Sequence, residues 1–276
     1  MCSCWDEYKI YIPSIDNLLS RFWFRLYEHP ICHWDMLEAY VAGISFALWI
    51  IFFRIMDQYP ALAKYKFPGN AQMKLFFPDK NSSWLPLVIY LISIHIYHYF
   101  FPKSFWPPEP PTALRLLVEV SYGIFAYDFI FFWIHLAMHK VSFMAYLSQH
   151  HVHHTQSNLC ASEVQHHSIV DGSLQVVVNI LVQNLPTGFY GRKHLLSRLI
   201  HNVLITYMLT EIHAGYDGFW SMHRLFPQLI GGAKRHEMHH KCSRTGYYEQ
   251  FFMYLDDTLC YLDTMRRHPS EAGSSS

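Results

Sequence analysis

The sequence predicts an all-α integral membrane protein, a bundle of about four to five membrane-spanning helices with a histidine-rich cap on its cytosolic side. Apolar residues make up 51% of the 276 residues and charged residues only 15%, against roughly 25% charged in an ordinary soluble domain. The chain also holds 20 histidines, about three times ordinary usage. Basic and acidic residues balance at 21 each, which excludes a nucleic-acid binder with a basic surface and a highly charged disordered chain.

Five stretches are apolar enough to be candidate membrane spans. The first two carry no charge, whereas the last three contain acidic, basic and histidine side chains that we expect to face the interior of a bundle. A soluble protein with buried apolar helices is the alternative, because the mean hydropathy is only +0.05. The candidate spans are residues 39–53, 84–101, 116–137, 169–185 and 195–212.

The connections divide the chain into an N-terminal region with two spans, residues 1–113, a main domain, residues 114–268, and a disordered tail, residues 269–276. Five of the 14 prolines fall between positions 102 and 111, so this connection is not helical. The six cysteines include no C-x-x-C pair, which argues against a disulfide framework and against a thiolate zinc site. The N-terminus lacks the pattern of a cleaved signal peptide.

Counting spans places the main histidine clusters on one side of the membrane. The same side carries 13 of the 21 Lys and Arg residues. Because positive charge marks cytoplasmic loops, we expect the histidine-rich side to face the cytosol, with the C-terminus, and the N-terminus to lie on the opposite side.

Three histidine patterns predict metal binding. The trios share the spacing H-x-x-H-H, and on a helix the positions i, i+3 and i+4 lie on one face, so each trio is predicted to offer three imidazoles to one site. Imidazole suits iron, zinc and copper. Eight ligands exceed the needs of one tetrahedral ion, so two metal ions are predicted, and an all-nitrogen pair at a membrane surface favours iron and dioxygen. The patterns are H-x-x-x-H at His135 and His139, and the two trios His150, His153, His154 and His236, His239, His240.

In this order, the boxes resemble those of the fatty acid hydroxylase and sterol desaturase superfamily, closest to its methyl-sterol oxidase and cholesterol hydroxylase type. The resemblance runs from about residue 119 to residue 264. It implies that His213, in Thr-Glu-Ile-His-Ala-Gly-Tyr, is a ninth metal ligand. It also draws attention to Asp128, seven residues before His135, and to Asp257, near the end of the chain. We expect both carboxylates to support ligand histidines from outside the metal coordination; for Asp128 the alternative is a structural polar group that faces the interior of the bundle.

Three positions depart from the family pattern. Leu136 replaces an arginine of the first box, and Asp217 stands where a histidine is often found, four residues after His213. On a continuing helical turn Asp217 would reach the same metal as His213; alternatively, Gly215 breaks the turn and Asp217 only caps the next segment. The segment after the second trio makes His167 a further candidate ligand.

The resemblance implies O2-dependent hydroxylation, or a related oxidation, of a sterol-like lipid at a histidine-ligated di-iron centre in residues 114–268. The expected cofactors are two iron ions, with zinc as an alternative in purified protein, and O2. Electrons would come from NAD(P)H through an external reductase and a b-type cytochrome, because the sequence has no nucleotide-binding fingerprint. The expected location is the endoplasmic reticulum membrane. The alternatives are a fatty acid or alkylglycerol hydroxylase and a non-catalytic membrane protein that binds metal.

Overall fold

The computed structural model describes residues 14–70, 85–100, 106, 108–155, 159–242 and 246–267. The predicted tail, 269–276, and part of the proline-rich connection lie outside these ranges. Within them the chain is helical, and β structure is limited to two isolated bridges, which confirms the all-α prediction. The α-helices are α1 (Ile15–Tyr27), α2 (Leu37–Met56), α3 (Leu85–Phe100), α4 (Ala113–Lys140), α5 (Ser142–Ser148), α6 (Ile169–Asn184), α7 (Leu195–His213), α8 (Met222–Leu225), α9 (Gly232–Lys241) and α10 (Tyr254–Arg267).

Short 3-10 helices connect several of these elements. They permit tight changes of direction, because their turns contain three residues instead of 3.6. Two of them lie between α5 and α6, and the first of these carries the trio His150, His153, His154. The 3-10 helices are Pro30–His33, Pro60–Tyr65, His150–Thr155, Ala161–Gln165 and Gly188–Tyr190.

Helices α2 and α4 are long and apolar enough to cross a membrane, with mean hydropathies of 1.9 and 1.5 over their most apolar windows. Helix α3 is apolar but shorter. Helix α4 starts after Thr112, whose hydroxyl accepts a hydrogen bond from Arg115 N, and it continues for 28 residues to Lys140. The total of four to five spans stays a prediction.

Helix α7 is the centre of the bundle and packs against α2, α4, α9 and the 3-10 helix Ala161–Gln165. Its polar side chains are buried, as the sequence predicts for the interior of a bundle. Arg198 is 5% exposed and bonds Glu38 of α2 at 2.7 Å. On the same helix pair, Trp49 Nε1 donates to Val203 O at 3.1 Å.

The C-terminal ends of α4 and α7 are held side by side by an apolar cluster. The cluster joins α4, α6 and α7 and extends to Ile230 and Phe251. Phe131 belongs to it and lies 5.8 Å from the His135 imidazole, centroid to centroid. Packing of these helices therefore brings the histidines at their ends to one place.

Helices α4 and α7 approach closely at Gly123. A Cβ at this position would lie 2.6 Å from His201 Nδ1 and 3.0 Å from Lys193 Nζ. Both neighbours are buried, and His201 Nε2 lies 3.1 Å from Asn179 Oδ1. Glycine at Gly123 thus permits the contact between the two helices.

We expect Gly123→Ala to destabilise the protein by about 1–3 kcal/mol, because overpacking outweighs the better helix propensity of alanine. Gly43→Ala is the matched control, since its Cβ would meet Leu87 Cδ1 at an ordinary 3.4 Å. Thermal unfolding of the detergent-purified protein measures both effects. An unchanged melting temperature for Gly123→Ala would contradict the close contact.

Candidate metal centre

Nine histidines converge from four elements at one end of the bundle. They lie in the last turns of α4 and α7, in the 3-10 helix His150–Thr155 and in α9. The histidine-bearing ends of α4 and α7 are positioned by the apolar cluster beneath them, and α9 packs directly against α7.

The imidazoles form two groups, each with its ligand nitrogens within 4.8 Å of one another. The structure therefore brings all nine predicted ligands together. The five-histidine group consists of His135, His139, His150, His154 and His239, and the four-histidine group consists of His153, His213, His236 and His240.

Each H-x-x-H-H trio is split between the two groups, so the prediction that a trio serves one site is wrong. In α9, His236 and His240 belong to the four-histidine group, and His239 belongs to the five-histidine group. At about 100° per residue, i+4 lies about 40° to one side of i, and i+3 lies about 60° to the other side. The helix therefore lies between the two groups and contributes to both.

Hydrogen bonds at Nδ1 fix the orientation of five of the imidazoles. An imidazole that donates its Nδ1 proton to an oxygen leaves the Nε2 lone pair for a metal ion. The pairs are His135 with Tyr248 O at 2.7 Å, His150 with Asp171 Oδ2 at 2.7 Å, His153 with His166 O at 2.9 Å, His213 with Leu209 O at 2.8 Å and His239 with Gly246 O at 3.0 Å.

The spacing of the Nε2 atoms fits bound cations. The Nε2 atoms of His135 and His150 are 3.0 Å apart, and those of His153 and His213 are 3.1 Å apart. Since these four rings use Nδ1 as the donor, their lone pairs face each other, which is repulsive without a cation between them. Two nitrogens about 2.1 Å from one metal ion and at right angles to each other lie about 3.0 Å apart.

Burial keeps the three imidazoles of α9 neutral. Burial lowers the pKa of His239 to about 4, against the opposing effect of its hydrogen bond to Gly246 O. Burial and the neighbouring imidazoles hold the pKa of His236 and His240 well below the ordinary value. At neutral pH these groups therefore present lone pairs instead of protons, as metal ligands must.

Asp171 is a candidate site residue that the sequence reasoning did not select. It is 0% exposed and accepts the Nδ1 proton of His150 at 2.7 Å. It lies in the first turn of α6, where Ser168 caps the helix by accepting from Asp171 N. The signal was the acidic residue at the start of an otherwise apolar predicted span. Carboxylate–histidine pairs of this kind orient metal-binding imidazoles and raise their basicity.

A loop at residues 246–252 supplies the carbonyls that hold His135 and His239. Asp128 stabilises this loop by accepting the backbone N–H groups of residues 250, 251 and 252. It thus supports His135 through the loop and not by a direct bond. Asp256 accepts from Tyr248 N at 2.8 Å and from residue 249 at 2.9 Å.

Asp257, the residue expected to support a ligand, is directed away from the histidines. Its carboxylate is 54% exposed and pairs with Arg235 at 2.6 Å. Adjacent residues of a helix point about 100° apart, so Asp256 faces the loop when Asp257 faces outward. The neighbouring carboxylate, Asp256, takes the role that the sequence assigned to Asp257.

Asp217 and His167 lie outside both histidine groups. Helix α7 ends at His213, and Gly215 adopts a φ of 71°, so the helical turn does not continue to Asp217. Asp217 instead bonds Arg224 through both oxygens at 2.6 Å, and the Arg224 guanidinium holds its pKa at about 2. His167 stands in the wall of a cavity beside α6.

Comparisons with known proteins find sequence similarity to hydroxylases. Residues 120–260 match the family model described as fatty acid hydroxylase. Cholesterol 25-hydroxylase of Homo sapiens is 28% identical over 265 residues, which cover 91% of this chain and 90% of that protein. A cholesterol 25-hydroxylase-like protein of Caenorhabditis elegans is 27% identical over 234 residues, 80% of this chain and 73% of that protein. No solved structure matches.

We expect Asp171→Asn to weaken metal binding by roughly 10–100-fold, because the amide does not stabilise the Nδ1–H of His150 as the carboxylate does. Competition with a chelator of known affinity measures the change. Asp257→Asn is the matched control and should bind metal as the wild type does. Equal affinities for the wild type and Asp171→Asn would show that Asp171 does not support the site.

Proposed function

This chain belongs to the fatty acid hydroxylase family, as its histidine boxes predict, and on that premise we propose that it is an O2-dependent hydroxylase of a sterol-like lipid, of the cholesterol hydroxylase type. The observation that carries the proposal is the pair of adjacent all-histidine groups close to one end of a lipid-sized cavity. Neither group includes a carboxylate ligand.

The five-histidine and four-histidine groups would each hold one iron ion. Nitrogen ligands suit iron, although imidazole also accepts zinc. When bound, the two irons supply the activation of O2 that oxidation of an unactivated C–H bond requires. The protein keeps His236, His239 and His240 neutral by burial and orients five of the nine imidazoles through backbone carbonyls and Asp171.

A cavity of about 770 Å³ lies between α2, α3, α6 and α7. This volume falls in the range of about 300–1,000 Å³ found for small-molecule sites, and the middle of the wall is apolar, with Phe46, Val176 and Ile205. Gln165 and His167 line it and flank His166, whose carbonyl accepts the Nδ1 proton of His153. One end of a lipid in the cavity would therefore lie near the His166 peptide, whose carbonyl contacts His153 of the four-histidine group.

The proposed reaction takes R–H, O2, two electrons and two protons to R–OH and water. The electrons come from NAD(P)H through an external reductase and a b-type cytochrome. With α2 and α4 spanning the endoplasmic reticulum membrane, the histidines face the cytosol, where these donors are available, and the cavity lies at the depth of the lipid. The names of the relatives support cholesterol as the first substrate to test.

The iron-loaded protein in nanodiscs, supplied with reductase, cytochrome and cholesterol under ¹⁸O2, should place one ¹⁸O atom in a hydroxylated sterol. His239→Ala and His240→Ala, one from each group, should lower turnover by more than roughly 100-fold, since each removes a metal ligand. His29→Ala is the control, because His29 is exposed and lies outside both groups.

Mass spectrometry of the lipid products measures the incorporated ¹⁸O. Label in a fatty acid but not in a sterol would overturn the substrate assignment. Two tightly bound metals without label in any lipid would identify a metal-binding protein that is not an oxygenase.

A further inference from the structure

The segment 57–70, here named the strap, follows α2 and is bonded both to the chain after α7 and to α9. It includes the 3-10 helix Pro60–Tyr65 and contains no histidine. It also lies before residues 120–260, which match the family model. Its contacts nevertheless connect two of the elements that carry the candidate metal ligands.

The strap pairs with the chain directly after His213, the last residue of α7. Phe67 N donates to Gly215 O at 2.9 Å, and Asp217 N donates to Tyr65 O at 2.6 Å. The two segments form an isolated antiparallel bridge between these bonds. Backbone hydrogen bonds on both sides of the bridge therefore fix the turn in which α7 ends.

A buried ion pair adds a side-chain link to the same turn. Lys66 Nζ lies 2.8 Å from Asp57 Oδ1 and donates to Ala214 O at 2.9 Å. Tyr216 OH donates to the same Asp57 oxygen at 2.6 Å. The Lys66 and Asp57 side chains are only 4% and 2% exposed. Because Ala214 follows His213 directly, the ion pair holds the backbone beside a candidate ligand.

The other end of the strap is bonded to α9, which carries the last histidine trio. Asn70 Nδ2 donates to Glu237 Oε2 at 3.0 Å, and Glu237 is buried. Lys241 Nζ lies 2.7 Å from Glu237 Oε1 and donates to Pro68 O at 3.2 Å. Glu237 adjoins His236 in the sequence but belongs to neither histidine group. It is the point at which the strap holds α9.

These contacts lie on both sides of the His213–His236 pair, whose Nε2 atoms are 2.9 Å apart. One ring belongs to α7 and the other to α9. The four-histidine group takes three of its four rings from these two helices, whereas four rings of the five-histidine group lie on α4 and the 3-10 helix His150–Thr155. A change in the spacing of α7 and α9 therefore affects the four-histidine group more.

On the basis of the proposed function, we propose that the strap positions His213 against α9 and thereby sets the affinity of the four-histidine group for its metal ion. Holding the ligands at their bound spacing lowers the conformational cost of binding. Lys66 and Asn70 act through the backbone after His213 and through Glu237, so they are positioning residues and not ligands. Because coupling is reciprocal, an ion in this group should stabilise the strap by the same factor.

Two double variants isolate the ions, so that the affinity of each group can be measured alone. His139→Ala/His154→Ala removes two ligands of the five-histidine group and leaves the ion of the four-histidine group, and His153→Ala/His240→Ala does the reverse. Chelator competition for zinc, which accepts imidazole ligands, measures each affinity on the full-length protein in nanodiscs.

Asn70→Asp places a second carboxylate against Glu237 and should weaken zinc binding by the four-histidine group by about tenfold or more. The same change should alter the affinity of the five-histidine group by no more than about twofold. Lys64→Met is the control, because Lys64 is an exposed residue of the strap, and it should change neither affinity. Weakening of the five-histidine group as much as or more than the four-histidine group would overturn the role of the strap.

Amide hydrogen exchange tests the reciprocal effect on the wild type, without any substitution. The Phe67 and Asp217 amides bond across the strap, so zinc loading should slow their exchange by about tenfold, the factor expected for the affinity. Exchange that zinc leaves unchanged would overturn the role of the strap and leave the proposed function standing. Failure of the wild type to bind either zinc or iron would contradict the proposed function instead.

Discussion

Imidazole lone pairs that face one another across about 3 Å repel unless a cation lies between them, and the arrangement of this end of the molecule depends on that constraint. The Nε2 atoms of His135 and His150, and those of His153 and His213, meet at 3.0 and 3.1 Å with Nδ1 already committed. Two metal ions, one in each group, would offset this repulsion. The groups are neighbours because α9 and the 3-10 helix His150–Thr155 each contribute histidines to both.

The rest of the bundle holds these rings in place. Three buried carboxylates support the ligand histidines. Asp171 bonds His150 directly, while Asp128 and Asp256 stabilise the loop whose carbonyls hold His135 and His239. The helices that carry the rings are joined by an apolar cluster below them. Helices α6 and α7 also form walls of the cavity, so the same elements that orient the metal ligands would align a lipid with them.

Residue type and spacing predicted the helical class and eight of the nine histidines, because they carry that information locally, and the family resemblance added His213. The sequence did not predict how each trio divides, since this depends on where a second group of ligands lies beside the helix. The resemblance placed one of two supporting carboxylates at Asp257, whereas the structure places it at Asp256, because adjacent residues of a helix point about 100° apart. Asp217 pairs with Arg224 because the helix ends before it and the chain turns at Gly215. The sequence pattern alone did not show that turn.

The division of the trios between two ions is the central claim, and iron content measured on paired variants tests it most directly. Anaerobically loaded wild-type protein should hold about two ions per chain. The double variant His153→Ala/His240→Ala removes two ligands from the four-histidine group and should retain about one ion. Replacing His139 and His154, both in the five-histidine group, should also leave about one. If instead the double variants keep two ions or lose both, or if the wild type holds none, the two-group account is contradicted.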